Sequence, residues 1–101
     1  MEIKQWEIWY ATVVYEDESG SKDRPIVILD IDGEYITALP ITSHESRNVW
    51  GEVELVFWKS AGLEEPSTVR TTKATLLKKS DLRRKAGELD IRDITQILSK
   101  L

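Results

Sequence analysis

Residues 24–43 read RPIVILDIDGEYITALPITS and predict a β-hairpin. The apolar run IVIL near the start is typical of a strand buried on both faces. Asp32 and Gly33 form a strong two-residue turn signal because glycine tolerates a positive φ. Residues 34–39 then return as the partner strand. This hairpin indicates that the fold is organised around an antiparallel sheet.

Shorter segments on both sides of the hairpin also have the residue pattern of strands. They are rich in aromatic and β-branched residues, or they alternate between apolar and polar residues. Trp6 and Trp9 have opposite parity in the first segment, so they point to opposite faces and cannot both fill one core. We expect strands within residues 6–15, 52–56, 67–70 and 74–77, the last two being either two short strands or one bent strand.

The C-terminal third of the chain predicts helices. Ser80 can cap a short helix that Gly87 stops, and Asp90 is the expected N-cap of the last helix. Short strands followed by helices predict a mainly β (α+β) fold, a small and strongly bent antiparallel sheet or partly open barrel with a C-terminal helix. We expect that helix to pack on the core through a stripe at helical spacing, Ile91, Ile94, Leu98 and Leu101, with Ile97 beside it.

Composition limits the kind of protein this can be. A chain of 101 residues, 41% hydrophobic and 32% charged, suits one compact domain, which we expect to span residues 1–101. The absence of cysteine excludes disulfides, thiolate catalysis and cysteine-ligated metal sites, and the single histidine, His44, excludes a multi-histidine metal site. We find no secretion signal and no apolar run near the roughly 18 residues of a membrane span. We therefore expect a cytoplasmic protein with no membrane partner.

Charge is divided unevenly along the chain. The net charge is -4, but residues 1–65 carry a net -9 and residues 66–101 a net +5. The basic part is suited to an anionic ligand or an acidic partner chain. The alternative is that each polar face is simply solvated by whichever sign is present.

A few residues carry side chains suited to chemistry. Arg24 stands just before the buried strand, which can hold the base of its side chain rigidly. Thr42 and Ser43 follow the partner strand, where their hydroxyls can donate hydrogen bonds to a phosphate or cap a turn. Arg70 ends another predicted strand. Each arginine is also well explained as an ordinary surface residue.

His44 and Trp50 lie in or next to the hydroxyl-rich loop that follows the hairpin. Histidine is the side chain whose ordinary pKa lies nearest neutrality, which suits a general base, although a lone loop histidine is more often incidental. Trp50 can stack on a nucleic-acid base or pack under the loop. The sequence leaves both alternatives open.

Five short motifs follow one another along nearly the whole chain. They are EIW at residues 7–9, KDRPIVI at 22–28, PITS at 40–43, GL and STVR within 62–70, and LRRKAGEL at 82–89. In this order they resemble the PemK/MazF family of toxin endoribonucleases from bacterial type II toxin-antitoxin systems, whose patterns include G-[DE]-I-W, K-x-R-P-x-x-V and P-x-T-S. The resemblance implies an SH3-like barrel with short helices.

The resemblance also implies an activity. Members of this family cut mRNA without metal or cofactor, through attack of a ribose 2′-hydroxyl on its own 3′-phosphate, and arrest growth until an antitoxin silences them. No cofactor is expected. The expected partners are single-stranded RNA, a cognate antitoxin peptide and a second copy of the chain in a homodimer. By position, the expected catalytic residues are Arg24, Thr42 and Arg70, and the expected RNA-binding residues are Ser43, His44, Trp50 and Thr72.

The chain departs from the family pattern at two positions. Trp6 stands where the family has its opening glycine, and Thr72 stands where some members carry a carboxylate that serves as the general base in one proposed mechanism. Arginine is a poor proton acceptor because its pKa exceeds about 12. His44 and solvent are therefore left as the proton acceptors.

Two alternatives to a ribonuclease follow from the same fold. The chain can be a catalytically inactive SH3-like module that binds RNA or protein. It can also resemble the gyrase-poisoning toxins of this fold, but those depend on a C-terminal tryptophan, and this chain ends ILSKL at residues 97–101.

Overall fold

The computed structural model describes residues 2–13, 22–43 and 49–101. Strands dominate this part of the chain, together with one 3-10 turn and one α-helix. The elements are β1 (Glu7–Val13), β2 (Lys22–Asp32), β3 (Tyr35–Thr42), β4 (Glu52–Glu54), β5 (Thr68–Arg70), β6 (Thr75–Lys78), a 3-10 helix (Lys79–Asp81), β7 (Leu82–Glu88) and α1 (Ile91–Leu98).

The seven strands form one antiparallel sheet in the order β4-β5-β3-β2-β1-β7. β3 is paired along its length by two short strands, β6 on its first half and β5 on its last two residues. In residues 2–13, 22–43 and 49–101, no pairing joins β4 to β7, so the sheet is bent but not closed. The predicted mainly β (α+β) class with a C-terminal helix is confirmed, and the word barrel applies only loosely.

The β2–β3 hairpin predicted from the sequence is present. Asp32 pairs with Tyr35, so the loop consists of Gly33 and Glu34, one residue later than the predicted turn. Gly33 has a φ of 61°, and Glu34 has no positive φ. A glycine at the first central position of a two-residue loop matches the right-handed twist of the flanking strands.

Both faces of the sheet are covered, which produces two separate apolar cores. Trp6 packs against the first core, and Trp9 is buried in the second, as their opposite parity predicted. The first core consists of Ile8, Val27, Leu39, Ile41, Val53, Leu55, Ala61, Leu63, Val69, Leu89, Ile94 and Ile97. The second consists of Trp9, Ala11, Ile26, Ile28, Ile36, Ala38, Leu77 and Leu82.

Trp6 has an unusual backbone conformation. Its φ of 72° is the one positive value at a non-glycine residue in the described ranges. Its amide nitrogen donates to the Ile28 carbonyl at 2.7 Å, and its carbonyl accepts from Leu89 at 3.0 Å. This left-handed conformation costs an L-residue energy that glycine avoids, which explains the glycine of the family pattern at this position.

The helix predicted between Ser80 and Gly87 is wrong. Residues 82–88 are strand β7, which pairs antiparallel with β1 and bulges at two points. The sequence LRRKAGE contains good helix formers, and the pairing with β1 overrides that local preference. The side chains of Arg83, Arg84 and Lys85 are exposed, as is common at the edge of a sheet.

Helix α1 begins at the predicted N-cap, but it buries a different face. Asp90 accepts the Arg92 amide at 2.8 Å, and hydrogen bonds from Arg92 lower the pKa of Asp90 to about 2. The buried residues of the helix are Asp93, Ile94 and Ile97, whereas Ile91 and Leu98 are 70% and 54% exposed. The predicted stripe is therefore wrong in part.

Asp93 explains why the helix is rotated away from its apolar stripe. Its side chain is buried, and its two carboxylate oxygens accept the backbone amides of Val56 and Phe57 at 3.0 and 2.9 Å. The Arg92 guanidinium lies 3.5 Å from the centre of the Phe57 ring. These contacts fix one side of α1 to the segment after β4.

No helix in the described residues is long and apolar enough to span a membrane.

Glu7 anchors the start of β1. Its buried carboxylate accepts the Lys4 amide at 2.8 Å and Trp9 Nε1 at 3.0 Å, and its other oxygen lies 2.7 Å from Lys85 Nζ on β7. Burial pushes the pKa of Glu7 up, but the hydrogen bonds from Lys85, Trp9 and Lys4 lower it below the ordinary value of 4.5. Glu7, the acidic residue of the EIW motif, therefore stabilises the fold by joining β1 to β7 and to the residues before β1.

We expect Glu7→Gln to remove a stabilisation that depends on pH. A carboxylate with a lowered pKa stabilises the fold above its unfolded pKa of 4.5, and the stabilisation is lost as the pH falls through the lower folded value. Thermal unfolding between pH 7 and pH 3 should show a gap between wild type and Glu7→Gln that narrows at acid pH. Glu34→Gln, at an exposed turn position, is the control. A gap that stays constant or widens would contradict this account.

Two glycines bring the segment after β4 against β7. A Cβ built on Gly87 would overlap the carbonyl oxygen of Ala61, and a Cβ built on Gly62 would overlap that of Ala86. The two backbones therefore meet at a distance that only glycine permits. The contact fixes the start of residues 63–67, which lead back into β5.

We expect Gly87→Ala to destabilise the fold by about 2–3 kcal/mol, because neither backbone can retreat without breaking its own hydrogen bonds. Gly33→Ala is the matched control. Its Cβ would meet nothing within 4 Å, so it should cost only about 1 kcal/mol for the positive φ. Denaturant unfolding of both variants measures the difference, and equal losses would contradict the proposed close contact.

Candidate functional site

A cleft of about 430 Å³ opens where β1, β2, β3 and β5 meet the segment between β4 and β5. Residues from five separate parts of the sequence form its wall. They are Tyr10, Asp23, Arg24, Pro25, Pro40, Ile41, Thr42, Ser43, Leu63, Glu64, Glu65, Ser67 and Arg70. Four of the residues singled out in the sequence therefore line one cleft: Arg24, Thr42, Ser43 and Arg70.

Arg24 lies inside β2, two residues before the start of the buried apolar run at Ile26. Its backbone pairs with Ala11 of β1, and the residue is half-buried with its Nε atom fully covered. The central strand therefore fixes the base of the side chain. A guanidinium held in this way presents its donors to the cleft with little loss of conformational freedom.

Thr42 and Ser43 lie where β3 ends. Thr42 is half-buried and pairs with Thr68 of β5, whereas Ser43 is exposed. Because β2 and β3 are antiparallel neighbours, the start of β2 and the end of β3 fall at the same end of the hairpin. This topology places the Thr42 hydroxyl and the Arg24 guanidinium along one cleft.

Arg70 is the last residue of β5. Its backbone pairs with Glu52 of β4, and its Nε lies 3.7 Å from a carboxylate oxygen of the largely buried Glu52 side chain. Next to it, Thr71 donates through both its backbone amide and its hydroxyl to the Gly51 carbonyl, at 2.9 and 2.7 Å. These contacts fix the position of Arg70 at the cleft.

Of the other three predicted residues, Trp50 and Thr72 do not line the cleft. Trp50 is 66% exposed, and the Lys100 ammonium lies 4.4 Å from the centre of its ring. Thr72 is exposed and next to Gly51. His44 lies outside the described residues. The RNA-binding roles of these three residues stay predictions.

Sequence reasoning missed three carboxylates of the cleft. Asp23 precedes Arg24, and its Oδ1 accepts a hydrogen bond from Thr12 Oγ1 at 3.0 Å. Glu64 and Glu65 belong to the segment before Ser67, whose hydroxyl donates to the Glu65 carbonyl at 2.8 Å. Their only signal in the sequence is the acidic excess of residues 1–65, which names no position.

The cleft combines donors with proton acceptors. Arg24 and Arg70 offer guanidinium groups, and Thr42 and Ser43 offer hydroxyls, which together suit a phosphate or another oxyanion. Asp23, Glu64 and Glu65 place carboxylates on the same wall. Such an arrangement can stabilise a reaction in which negative charge grows on phosphate oxygens while a hydroxyl loses its proton.

The fold and the cleft define a class of protein, a small bent antiparallel sheet whose rim presents guanidinium and hydroxyl donors. The sequence matches the family model of the PemK-like, MazF-like toxins of type II toxin-antitoxin systems over residues 4–101, and the chain belongs to this family. A search of curated protein sequences finds no match.

Solved structures agree with this assignment. The Mycobacterium tuberculosis toxin MazF-mt6 is 26% identical, with a TM-score of 0.72 over 93% of this chain and 90% of its own. An endoribonuclease from a mycobacterial species, solved with its cognate antitoxin, has a TM-score of 0.77 at 15% identity and covers 99% of this chain and 91% of its own. MazE-MazF from Deinococcus radiodurans reaches 0.74 at 17% identity, over 98% and 92%. The last two likenesses concern the fold alone.

Proposed function

We propose that this chain is the toxin of a type II toxin-antitoxin system and acts as a sequence-specific, metal-independent endoribonuclease on mRNA. The observation that carries the proposal is the convergence of Arg24, Thr42, Ser43 and Arg70 on one cleft. Apart from the adjacent Thr42 and Ser43, these residues are far apart in the sequence, and the family resemblance named all four. We place the protein in the cytoplasm, where its substrate is found.

The proposed reaction is an internal transfer at one phosphate of the RNA. The ribose 2′-oxygen attacks the adjacent phosphorus, and the bond from phosphorus to the 5′-oxygen of the next nucleotide breaks. The products are a 2′,3′-cyclic phosphate and a free 5′-hydroxyl. In the transition state the nonbridging oxygens gain negative charge, and donors from Arg24 and Thr42 stabilise that charge more than they stabilise the ground state.

Two protons must move during this reaction. The 2′-hydroxyl gives one up, and the departing 5′-oxygen takes one. We propose that Arg70 donates a hydrogen bond to the phosphate or to the departing oxygen, and that the departing oxygen takes its proton from solvent. The three carboxylates of the cleft, Asp23, Glu64 and Glu65, are candidate acceptors of the first proton in addition to His44 and solvent.

The proposed partners of the toxin are a second copy of the chain and an antitoxin. Support for the antitoxin comes from the solved relatives, two of which are complexes with an antitoxin or with MazE. We propose that the antitoxin is an acidic segment that orders itself across the cleft and blocks RNA. Light scattering that finds only an 11.6 kDa species at micromolar concentration would exclude the homodimer.

The experiment that tests the activity is incubation of the purified protein with a long RNA in EDTA, followed by mapping of new 5′ ends. We expect discrete cuts at a recurring sequence that persist in the chelator, with a 5′-hydroxyl on each downstream fragment. Cuts that disappear in EDTA would overturn metal independence. An intact RNA at high protein concentration would overturn the ribonuclease assignment and favour an inactive binding module of the same fold.

A further inference from the structure

A row of side chains leads from the wall of the cleft to the edge of the sheet. In the antiparallel register, Tyr10 of β1 stands opposite Pro25 of β2 on one side and Arg84 of β7 on the other. Pro25 and Tyr10 both line the cleft. The three residues are directly cross-strand, so their side chains share one face of the sheet.

Arg84 is held at the outer end of this row by an aromatic ring. Its guanidinium carbon lies 4.0 Å from the centre of the Tyr10 ring, a cation–π contact that restricts where the guanidinium can go. The side chain is exposed, so its N–H donors stay accessible to a ligand. Tyr10 therefore connects the wall of the cleft physically to a cation outside it.

The neighbours of Arg84 on β7 are engaged by other groups. Arg83 donates through Nε to Thr12 Oγ1 at 2.9 Å, and Lys85 forms ion pairs with Glu7 and Glu88 at 2.7 and 3.3 Å. Arg84 forms no ion pair with any carboxylate in residues 2–13, 22–43 and 49–101. Its charge is available for an anion that arrives from outside.

The charge balance of the cleft explains why such a cation is useful. The cleft wall carries two arginines against three carboxylates, Asp23, Glu64 and Glu65, so it does not attract a polyanion by net charge. Two strand spacings separate Pro25 from Arg84, roughly 10 Å. That distance is within reach of a nucleotide that adjoins one bound in the cleft.

We propose that Arg84, positioned by Tyr10, binds a backbone phosphate of the RNA strand next to the segment held in the cleft. The inference rests on the proposed ribonuclease function and adds a binding position to it. A guanidinium binds a phosphate through two parallel N–H donors, and it reads no base. RNA fits better than an acidic peptide because the row continues directly from the wall where the reacting phosphate is proposed to lie.

The test compares the binding of short and long RNA. The probes are 2′-O-methyl RNAs centred on the mapped cut, one of about 3 nucleotides and one of about 13, because a methylated 2′-oxygen cannot attack. For the long probe, we expect Arg84→Ala to weaken binding about fivefold at 0.1 M salt, the size of one exposed ion pair. The association constant decreases as the salt concentration rises. In a plot of its logarithm against the logarithm of salt concentration, the slope for Arg84→Ala should be less steep by about 0.7, which corresponds to one phosphate contact on a single strand.

Three controls separate a phosphate contact from a general effect. Binding of the short probe should be unchanged by Arg84→Ala. Arg84→Lys keeps the charge and should restore most of the salt slope. Lys78→Ala removes an exposed charge from the opposite end of β3, where Lys78 pairs with Tyr35, and should alter neither probe.

The outcomes distinguish this inference from the proposed function. If wild type cuts and binds RNA but Arg84→Ala has the wild-type affinity and salt slope for the long probe, the inference is wrong and the ribonuclease stands. An equal loss on both probes also overturns it, because the effect then arises inside the cleft. If wild type neither cuts nor binds RNA, the proposed function fails and the inference fails with it.

Discussion

Arg24→Ala will reduce the rate of RNA cleavage about 10²- to 10³-fold, the loss that follows removal of one fixed donor to a developing oxyanion. The reason is that Arg24 is rooted in the central strand β2, which fixes its guanidinium at the cleft before substrate arrives. The measurement is the single-turnover cleavage rate of a labelled RNA at saturating protein. Because the lost interaction belongs to the transition state, the rate should fall far more than the affinity.

Thr42→Val is the companion variant, since valine keeps the branched shape that pairs in β3 and removes only the hydroxyl. It should also slow cleavage by at least tenfold, and Lys78→Ala should have no effect. Circular dichroism and thermal unfolding establish that each variant is folded. A folded Arg24→Ala protein that cuts RNA at the wild-type rate would remove Arg24 from the mechanism.

Asp93→Ala will destabilise the protein by about 3 kcal/mol, the second large effect that we expect. The substitution removes two charge-assisted hydrogen bonds and leaves the amides of Val56 and Phe57 without these acceptors in a half-buried place. For a domain of this size the midpoint of thermal unfolding should fall by about 12–24 °C. Denaturant unfolding gives the free energy directly.

Gln96→Ala is the matched control for Asp93→Ala. Gln96 lies on the exposed side of the same helix, and alanine is a strong helix former, so stability should change by less than about 0.5 kcal/mol. Similar losses in both variants would mean that the helix, rather than the carboxylate, is the source of the stability.

Much of the sheet could be predicted from the sequence because local signals and tertiary structure agree there. The β2–β3 hairpin combines a buried apolar run with a glycine turn. Trp9 of β1 and Trp6, which directly precedes β1, have the parity of a sheet covered on both sides. The sequence pattern wrongly predicted a helix at residues 82–88, because these residues favour a helix locally but pair with β1 as a strand. It failed again in α1, because no sequence period reveals that Asp93 binds backbone amides at residues 56 and 57.

The candidate site could be predicted only where a motif marked it. Arg24, Thr42, Ser43 and Arg70 were recognised by resemblance, and the structure brings these four to one cleft. Asp23, Glu64 and Glu65 were not found because a carboxylate looks the same in sequence whether it faces a cleft or solvent. Tyr10 was read only as part of a strand, and its position between Pro25 and Arg84 depends on the register of three strands.

The hydrogen bonds between Asp93 and the amides of residues 56 and 57 also have a consequence for the folding of the chain during its synthesis. Synthesis proceeds from the N-terminus, so every residue of the cleft, from Tyr10 to Arg70, leaves the ribosome before Asp93 does. Strand β7, which pairs with β1, and the Asp93 carboxylate, which binds the amides of residues 56 and 57, are both synthesised after the cleft residues. A partly synthesised chain therefore carries all of the cleft residues without strand β7 and without the carboxylate that holds residues 56 and 57 in place.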